Sequence, residues 1–154
     1  MMKYMPRSGL SAYGLLGLLF AINSPASELQ AFESTVLEIN AQKFSVEMAK
    51  TYKQRQRGLM FRKKLSANSA MLFVYPSKGE HRIWMKNTLI PLTVVWLDHN
   101  AAVIDVKQLE PCLDDPCPSF GVDSPSSYVL ELPEAFSGLK AGDRITDILK
   151  LKPK

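Results

Sequence analysis

The chain has 154 residues, a length typical of one domain, and a formal net charge of +4 with a pI near 9.1. Hydrophobic residues make up 46% and charged residues 22% of the chain, which excludes an intrinsically disordered protein. With two cysteines and two histidines, the chain cannot build a zinc site from four cysteines or from three cysteines and one histidine.

The first 26 residues have the form of a secretory signal peptide. Lys3 and Arg7 precede an apolar run over residues 9–22, and a stretch of small residues follows it. A charged segment, a short apolar segment and a Ser-x-Ala exit are typical of an export signal. We therefore expect cleavage after Ala26 and one periplasmic domain over residues 27–154. The alternative is that the segment stays uncleaved and anchors the protein in the membrane.

The first part of this domain has the pattern of a β-hairpin followed by a short helix. Residues 36–40 and 43–49 alternate apolar and polar side chains, as strands with one buried face do, and a turn at residues 40–42 can link them. Thr51 opens a segment with the spacing of a capping box, and Gly58 is a suitable stop for the helix.

The helix and the loop after it form a strongly basic segment. Residues 50–64 contain no acid and seven basic residues, which are Lys50, Lys53, Arg55, Arg57, Arg62, Lys63 and Lys64. Such a patch can attract anions, lipid headgroups or an acidic partner, or it can simply be a solvated surface. We expect at most a weak contact with a membrane surface, and no nucleic acid, because no aromatic platform is interleaved with the charges.

The rest of the domain is predicted to consist mainly of short strands. Apolar or alternating runs, separated by turn signals, cover residues 71–75, 82–85, 93–97, 102–107 and 128–132. Residues 133–136 predict a short helix, and residues 144–149 predict a last strand. This pattern predicts a mainly β fold: a single antiparallel β-sandwich, jelly-roll-like or barrel domain with one or two short helices.

Five sequence blocks resemble the signature of the DUF192 (UPF0127) family. In chain order they are GLMFR at 58–62, MLFVY at 71–75, WMKNTLIPL at 84–92, YVLEL at 128–132 and KAGDRI at 140–145. The resemblance covers roughly residues 36–149 and implies a compact, β-rich, jelly-roll-like domain of exported or membrane-tethered bacterial proteins. It implies no established activity. Where the family usually has Leu-Asp, this chain has Leu92-Thr93, so a role that needs a carboxylate at that position is not expected here.

The two cysteines are predicted to form a structural disulfide. Cys112 and Cys117 are separated by four residues, so they do not form a Cys-x-x-Cys redox motif. In an exported protein, such a pair is expected to close a small loop. The bridge would stiffen the proline-rich stretch over residues 110–127.

Catalytic candidates are few, and we predict no catalytic residue. Neither His81 nor His99 has an orienting partner at a recognisable spacing, and the chain has no Gly-x-Ser-x-Gly elbow. Glu131 alternates with Leu130 and Leu132, which predicts an outward-facing strand residue, although it lies in a block that resembles the family. The sequence leaves enzyme activity open, with the balance against it.

A copper site is the metal-binding alternative. Met48, Met60, Met71 and Met85, together with His81, offer the thioether and imidazole ligands that suit Cu(I). Methionine also commonly fills gaps in a hydrophobic core, and Met71 lies beside apolar neighbours. We predict no metal and no cofactor.

The strongest functional signal is a set of residues suited to ligand recognition at the ends of regular elements. Guanidinium groups bind anions, an indole ring stacks, and amide or hydroxyl groups orient a ligand. The predicted binding residues are Arg57, Met60, Arg62, Arg82, Trp84, Met85, Asn87, Thr88 and Glu131. We predict an exported domain that binds a small, preferably anionic, ligand or an envelope protein.

The alternative to a binding domain is a periplasmic hydrolase that uses the same cleft, which is the one that the predicted binding residues would form. A buried carboxylate with a raised pKa facing Trp84 would favour the enzyme. A cleft lined only by arginine, tryptophan, asparagine and threonine would favour binding.

Overall fold

The structure is a computed structural model that describes residues 31–151. The predicted signal peptide, residues 1–26, lies outside the described residues. The elements in chain order are β1 (Glu33–Ile39), β2 (Gln42–Ala49), α1 (Tyr52–Arg57), β3 (Ser69–Gly79), β4 (Ile83–Trp84), β5 (Leu92–Leu97), β6 (Val103–Leu109), β7 (Ser119–Phe120), β8 (Ser126–Pro133) and a C-terminal 3₁₀ helix (Thr146–Leu151).

Six strands form one sheet in the order β1-β2-β3-β8-β5-β6, and β4 pairs with β7 in a second, two-stranded sheet. Strands and isolated bridges account for 45% of the described residues, which confirms the predicted mainly β class, and the described sheet does not close into a barrel. One neighbouring pair, β2 and β3, runs parallel, whereas the other pairs are antiparallel. The parallel pair arises because residues 50–68 cross over between these two strands.

The predicted hairpin and helix are both present. Asn40 and Ala41 link β1 to β2 with φ angles of 50° and 60°, as in a type I′ turn. The Thr51 hydroxyl accepts a hydrogen bond from the Gln54 backbone N–H, while the Gln54 side chain accepts one from the Thr51 N–H. This reciprocal cap begins α1, and Gly58, with φ 47°, ends it.

Two C-terminal predictions are wrong. Residues 133–136 form a turn, closed by a hydrogen bond from the Phe136 N–H to the Pro133 carbonyl, and not a helix. The predicted last strand is reduced to a single bridge between Arg144 and Ala102, followed by the 3₁₀ helix. Ile145 and Ile148 are both buried three residues apart, a spacing that matches the 3₁₀ repeat better than strand alternation.

The lengths of β3 and β4 also differ from the prediction. β3 continues through Pro76 to Gly79, with its pairing to β8 interrupted between Val74 and Gly79. The predicted strand over residues 82–85 is only two residues long, since its partner β7 is equally short.

The six-stranded sheet has a hydrophobic core on each face, because successive strand side chains point to opposite sides. One core includes Leu72, Leu130 and Phe44. The other includes Met71 and Val129, and it is covered by residues from the loop after α1 and from β4. β5 and β8 are therefore buried along nearly their whole length on both faces.

The predicted disulfide between Cys112 and Cys117 is present. It lies in the long connection between β6 and β8, where β7 adds a short paired segment. Within residues 31–151, no helix is long and apolar enough to cross a membrane.

Candidate functional site

A cavity of about 400 Å³ opens where α1, the loop after it, the irregular part of β3 and β4 meet. Six of the nine predicted binding residues line it: Arg57, Met60, Arg82, Trp84, Thr88 and Glu131. Because they come from three separate stretches of the chain, residues 57–60, 82–88 and 131, the fold brings together a site that was predicted only from local motifs.

Glu131 is the chemically unusual residue of this cavity. It lies on the interior strand β8, paired with Met71 of β3 and Val94 of β5, and its side chain is only 4% exposed. Its Oε2 atom has no hydrogen-bond partner among the described residues. Burial raises the pKa of Glu131 to about 8, and the positive charge of Arg62 opposes this rise only in part. The prediction that Glu131 faces outward is wrong, because β8 is covered on both faces.

An aromatic and imidazole pair forms another part of the wall. The rings of Tyr75 and His81 stack with centroids 3.5 Å apart, and His81 Nε2 lies 2.9 Å from the Ser77 carbonyl oxygen. Burial raises the pKa of Tyr75 to about 12; Arg55 opposes the rise and Glu131 adds to it. The tyrosine therefore remains a neutral hydroxyl at physiological pH.

The three arginines that line the cavity differ in whether other residues already bind their guanidinium groups. Arg55 donates hydrogen bonds to the carbonyls of Lys50 and Val74, and its guanidinium lies 5.1 Å from the centre of the Tyr75 ring. Arg82 donates to the hydroxyl and carbonyl of Ser119, at 3.1 and 2.6 Å. Arg57 is exposed and has no ion pair among the described residues. Arg57 is therefore the arginine available to a ligand.

The other three predicted residues do not line the cavity. Arg62 forms a 2.6 Å ion pair with Glu47 and lies beside a different groove. Met85 is buried in the hydrophobic core beneath β4. Asn87 has a positive φ of 57°, and its carbonyl accepts a hydrogen bond from the Phe61 N–H. These residues hold the loops around the cavity together.

The described residues contain no group of three or more histidine, cysteine, aspartate or glutamate side chains placed to hold a metal ion. Of the methionines weighed for copper, Met71 and Met85 are fully buried in the core and only Met60 lines the cavity. Met71 and Met85 therefore fill the hydrophobic core, as methionine commonly does.

Thr93, at the position where the family usually has aspartate, lies on the other face of the sheet. It pairs with Leu132 on the face opposite to that of Val94 and Glu131. Its hydroxyl lies within 3.2 Å of the carbonyl oxygens of Glu134 and Phe136. A carboxylate missing at this position therefore does not alter the chemistry of the cavity.

Sequence reasoning missed Tyr75 and His81 as lining residues. Tyr75 could have been found, because residues 71, 73 and 75 alternate onto the face that carries Glu131. His81 lies in a polar loop with no periodicity, and only the irregular end of β3 brings it over Tyr75.

The fold and the site together define a mainly β domain in which a buried carboxyl group lies at the wall of an open cavity, with no hydrogen-bond partner for its Oε2 atom among the described residues. The chain belongs to the DUF192 family, described as Uncharacterized ACR, whose profile matches residues 35–146. No curated protein matches the chain significantly.

Two solved structures share the fold. One is a protein of unknown function from Novosphingobium aromaticivorans DSM 12444, with 24% identity, a TM-score of 0.63, and coverage of 79% of this chain and 88% of that one. The other is described as a proposed transcription regulator from Sinorhizobium meliloti 1021, with 23% identity, a TM-score of 0.58, and coverage of 80% and 91%. At these identities the likeness concerns the fold alone.

Proposed function

We propose that this protein binds a small ligand in the cavity next to Glu131, and that anionic ligands with a flat portion are preferred. The observation that carries the proposal is the buried carboxyl group of Glu131, a residue that lines the cavity and whose Oε2 atom has no hydrogen-bond partner among the described residues. A buried polar atom without a partner is costly, so a ligand that supplies one gains affinity.

The preference for an anion follows from the charge state of the cavity. With a pKa of about 8, Glu131 is mainly protonated at neutral pH and can donate a hydrogen bond to a carboxylate or carbonyl oxygen. Arg57 adds a guanidinium that no described acid neutralises. The half-exposed ring of Trp84 offers a surface on which a flat group can stack.

Benzoate and benzamide form a matched pair of probes, since they have the same ring and differ in charge. We expect benzoate to shift the backbone amide NMR signals of residues around the cavity, and benzamide to shift them less. Shifts that are equal for both probes would contradict the anion preference. If neither probe, nor a panel of sugars and aromatic acids, shifts these signals, the ligand-binding proposal fails.

Variants separate a specific site from general charge attraction. Replacing Arg57 by Gln or Trp84 by Ala should weaken benzoate binding by about 1–3 kcal/mol, the scale of one charge-assisted bond or one aromatic contact. Lys63→Gln serves as the control, because Lys63 is exposed and does not line the cavity. Equal losses in the control and in the site variants would show attraction by net charge alone.

An envelope protein is the alternative occupant of the same surface. A photo-crosslinker placed at position 84 would then capture one discrete envelope protein, and excess benzoate would not compete with it. Competition by benzoate would assign the surface to a small ligand.

A hydrolase is the second candidate function, and one observation favours it. A carboxyl group with a pKa near 8, lining the same cavity as Trp84, has the properties of a general acid. Chromogenic ester and glycoside substrates test this function. Turnover that is abolished in Glu131→Gln, while benzoate binding persists, would support catalysis, and no turnover with the wild-type protein would count against it.

We also propose that the protein is exported to the periplasm. The support is the signal-like composition of residues 1–26 together with the disulfide between Cys112 and Cys117, a bond that persists in oxidising compartments.

A further inference from the structure

Four large hydrophobic side chains are exposed at the mouth of the cavity or beside it. They are Tyr52, Phe61, Trp84 and Leu89, which are 69%, 60%, 47% and 40% exposed. We call these four residues the apolar rim. Isolated exposed hydrophobic residues are common, but several on one side of a small domain mark an interaction surface.

Each rim residue either lines the cavity or follows a lining residue in the chain. Tyr52 and Trp84 both line the cavity directly. Phe61 follows the lining residue Met60, and Leu89 follows the lining residue Thr88. The two loops are joined by the hydrogen bond of 2.8 Å from the Phe61 N–H to the Asn87 carbonyl.

Two of the four rim residues, Tyr52 and Phe61, lie within the basic segment of the chain, residues 50–64. Exposed residues of this segment that have no ion pair among the described residues are Lys53, Arg57, Lys63 and Lys64. The acids Glu33 and Glu47 are each paired already, with Lys50 and Arg62. The surface therefore combines exposed aromatic and aliphatic groups with positive charge that no described side chain neutralises.

We propose that the apolar rim and its basic residues dock this domain onto an anionic phospholipid surface, with the mouth of the cavity facing the lipid. Tryptophan, tyrosine and phenylalanine beside lysine and arginine form the composition that settles at the boundary between headgroups and acyl chains. Lysine is depleted at protein–protein interfaces, which favours a lipid surface over an acidic protein. Anionic headgroups supply the complementary charge.

Trp84 provides a direct reporter of this docking, because the other tryptophan, Trp96, is fully buried. We expect vesicles of phosphatidylglycerol and brominated phosphatidylcholine in equal parts to bind the protein and to quench Trp84 fluorescence. Vesicles of phosphatidylcholine alone should bind far less. Binding that is equal for both compositions, or binding without quenching of Trp84, would overturn the proposal.

Variants locate the docking surface. Lys63→Gln combined with Lys64→Gln should weaken vesicle binding by roughly 25-fold at low salt, given the usual contribution of each basic residue near an anionic surface. Phe61→Ser should weaken it as well, whereas Val36→Thr, which changes an exposed valine of β1 outside the rim, should not. A loss in Val36→Thr equal to that in Phe61→Ser would also overturn the proposal.

The lipid-docking proposal and the ligand-binding proposal can be tested independently of each other. The lysine variant should lose vesicle binding and keep benzoate binding, because neither lysine lines the cavity. Polyglutamate serves as a model of an acidic protein partner. If it displaces the domain from vesicles no more than salt of equal ionic strength does, the lipid assignment stands. If polyglutamate binds the rim and vesicles do not, the partner is a protein and the lipid proposal is wrong.

Discussion

The indole Nε1–H of Trp96 donates a hydrogen bond of 2.8 Å to the backbone carbonyl of His81. Trp96 is fully buried in β5, on the same face of the sheet as Glu131, whereas His81 lies in the loop that leads to β4. This polar contact thus links the core of the domain to one wall of the cavity.

Replacing Trp96 by Phe tests this contact. The change leaves the His81 carbonyl without its partner and creates a small void, so the free energy of unfolding should fall by about 1–3 kcal/mol. Urea denaturation measures it. Trp84→Phe is the matched control: Trp84 is half-exposed, so its effect should stay within about 0.5 kcal/mol. Equal effects at the two positions would show that the contact does not stabilise the fold.

The disulfide makes a second prediction. Alkylation of the native protein without reductant should label neither Cys112 nor Cys117, because the two are bonded to each other. Replacing both by serine should lower the free energy of unfolding by about 2 kcal/mol, the chain-entropy value for a ring of this size. Labelling of both thiols in freshly isolated protein would contradict the bond.

Export predicts where the mature chain begins. After cell fractionation, intact-mass measurement should find the protein in the periplasmic fraction with its N-terminus at or near Ser27. Recovery of the chain with Lys3 still attached, in the membrane fraction, would indicate an uncleaved anchor instead.

Local sequence patterns predicted the elements whose determinants are local. The capping box at Thr51, the stop at Gly58 and the disulfide each depend on residues a few positions apart, and all three were found. The patterns over residues 133–136 and 144–149 were misleading because pairing with other segments decides those regions. Arg144, for example, is held as a bridge to Ala102, far away in the chain.

The site was predicted only in part, because some of its residues depend on contacts between distant segments of the chain. Trp84 and Thr88 lie in a distinctive block of the sequence, and both line the cavity. The inward direction of Glu131 could not be inferred from its alternation with leucines, since alternation does not show that both faces of a strand are buried. The ion pair between Arg62 and Glu47, which keeps Arg62 out of the cavity, joins two segments of the chain. Local sequence patterns do not predict it, because it depends on the parallel pairing of β2 and β3.

The cap of α1 predicts a coupling between helix stability and the ligand site. Thr51→Ala removes the side-chain acceptor for the Gln54 N–H, so the free energy of unfolding should fall by about 1 kcal/mol. Because α1 carries Arg57 into the cavity wall, benzoate binding should weaken too. Thr51→Ser keeps the acceptor and should retain both properties. Calorimetry on the two variants checks this, and equal losses in both would contradict the role of the cap.

The buried carboxyl of Glu131 makes stability depend on pH in a direction opposite to that of an acid whose pKa is lowered by a salt bridge in the folded state. Its pKa is raised from the usual 4.5 to about 8, so the folded protein binds a proton that the unfolded chain has already released between these two values. The free energy of unfolding should therefore fall as the pH rises from 4.5 to 8, and this contribution should be constant outside that window. If the whole shift is expressed, the fall is on the order of 5 kcal/mol.

Glu131→Gln isolates this contribution, because glutamine has the same shape and does not titrate. The difference in unfolding free energy between the wild-type protein and Glu131→Gln should change across that window, while contributions from all other groups cancel. A ¹³C NMR titration of the Glu131 carboxyl should give a midpoint near 8. Benzoate binding to the wild type should weaken above that pH, since the carboxylate that forms repels an anion, and the variant should show no such loss. Parallel stability curves with a carboxyl midpoint near 4.5 would mean that water reaches Glu131, and the cavity would then lose the neutral donor on which its anion preference depends.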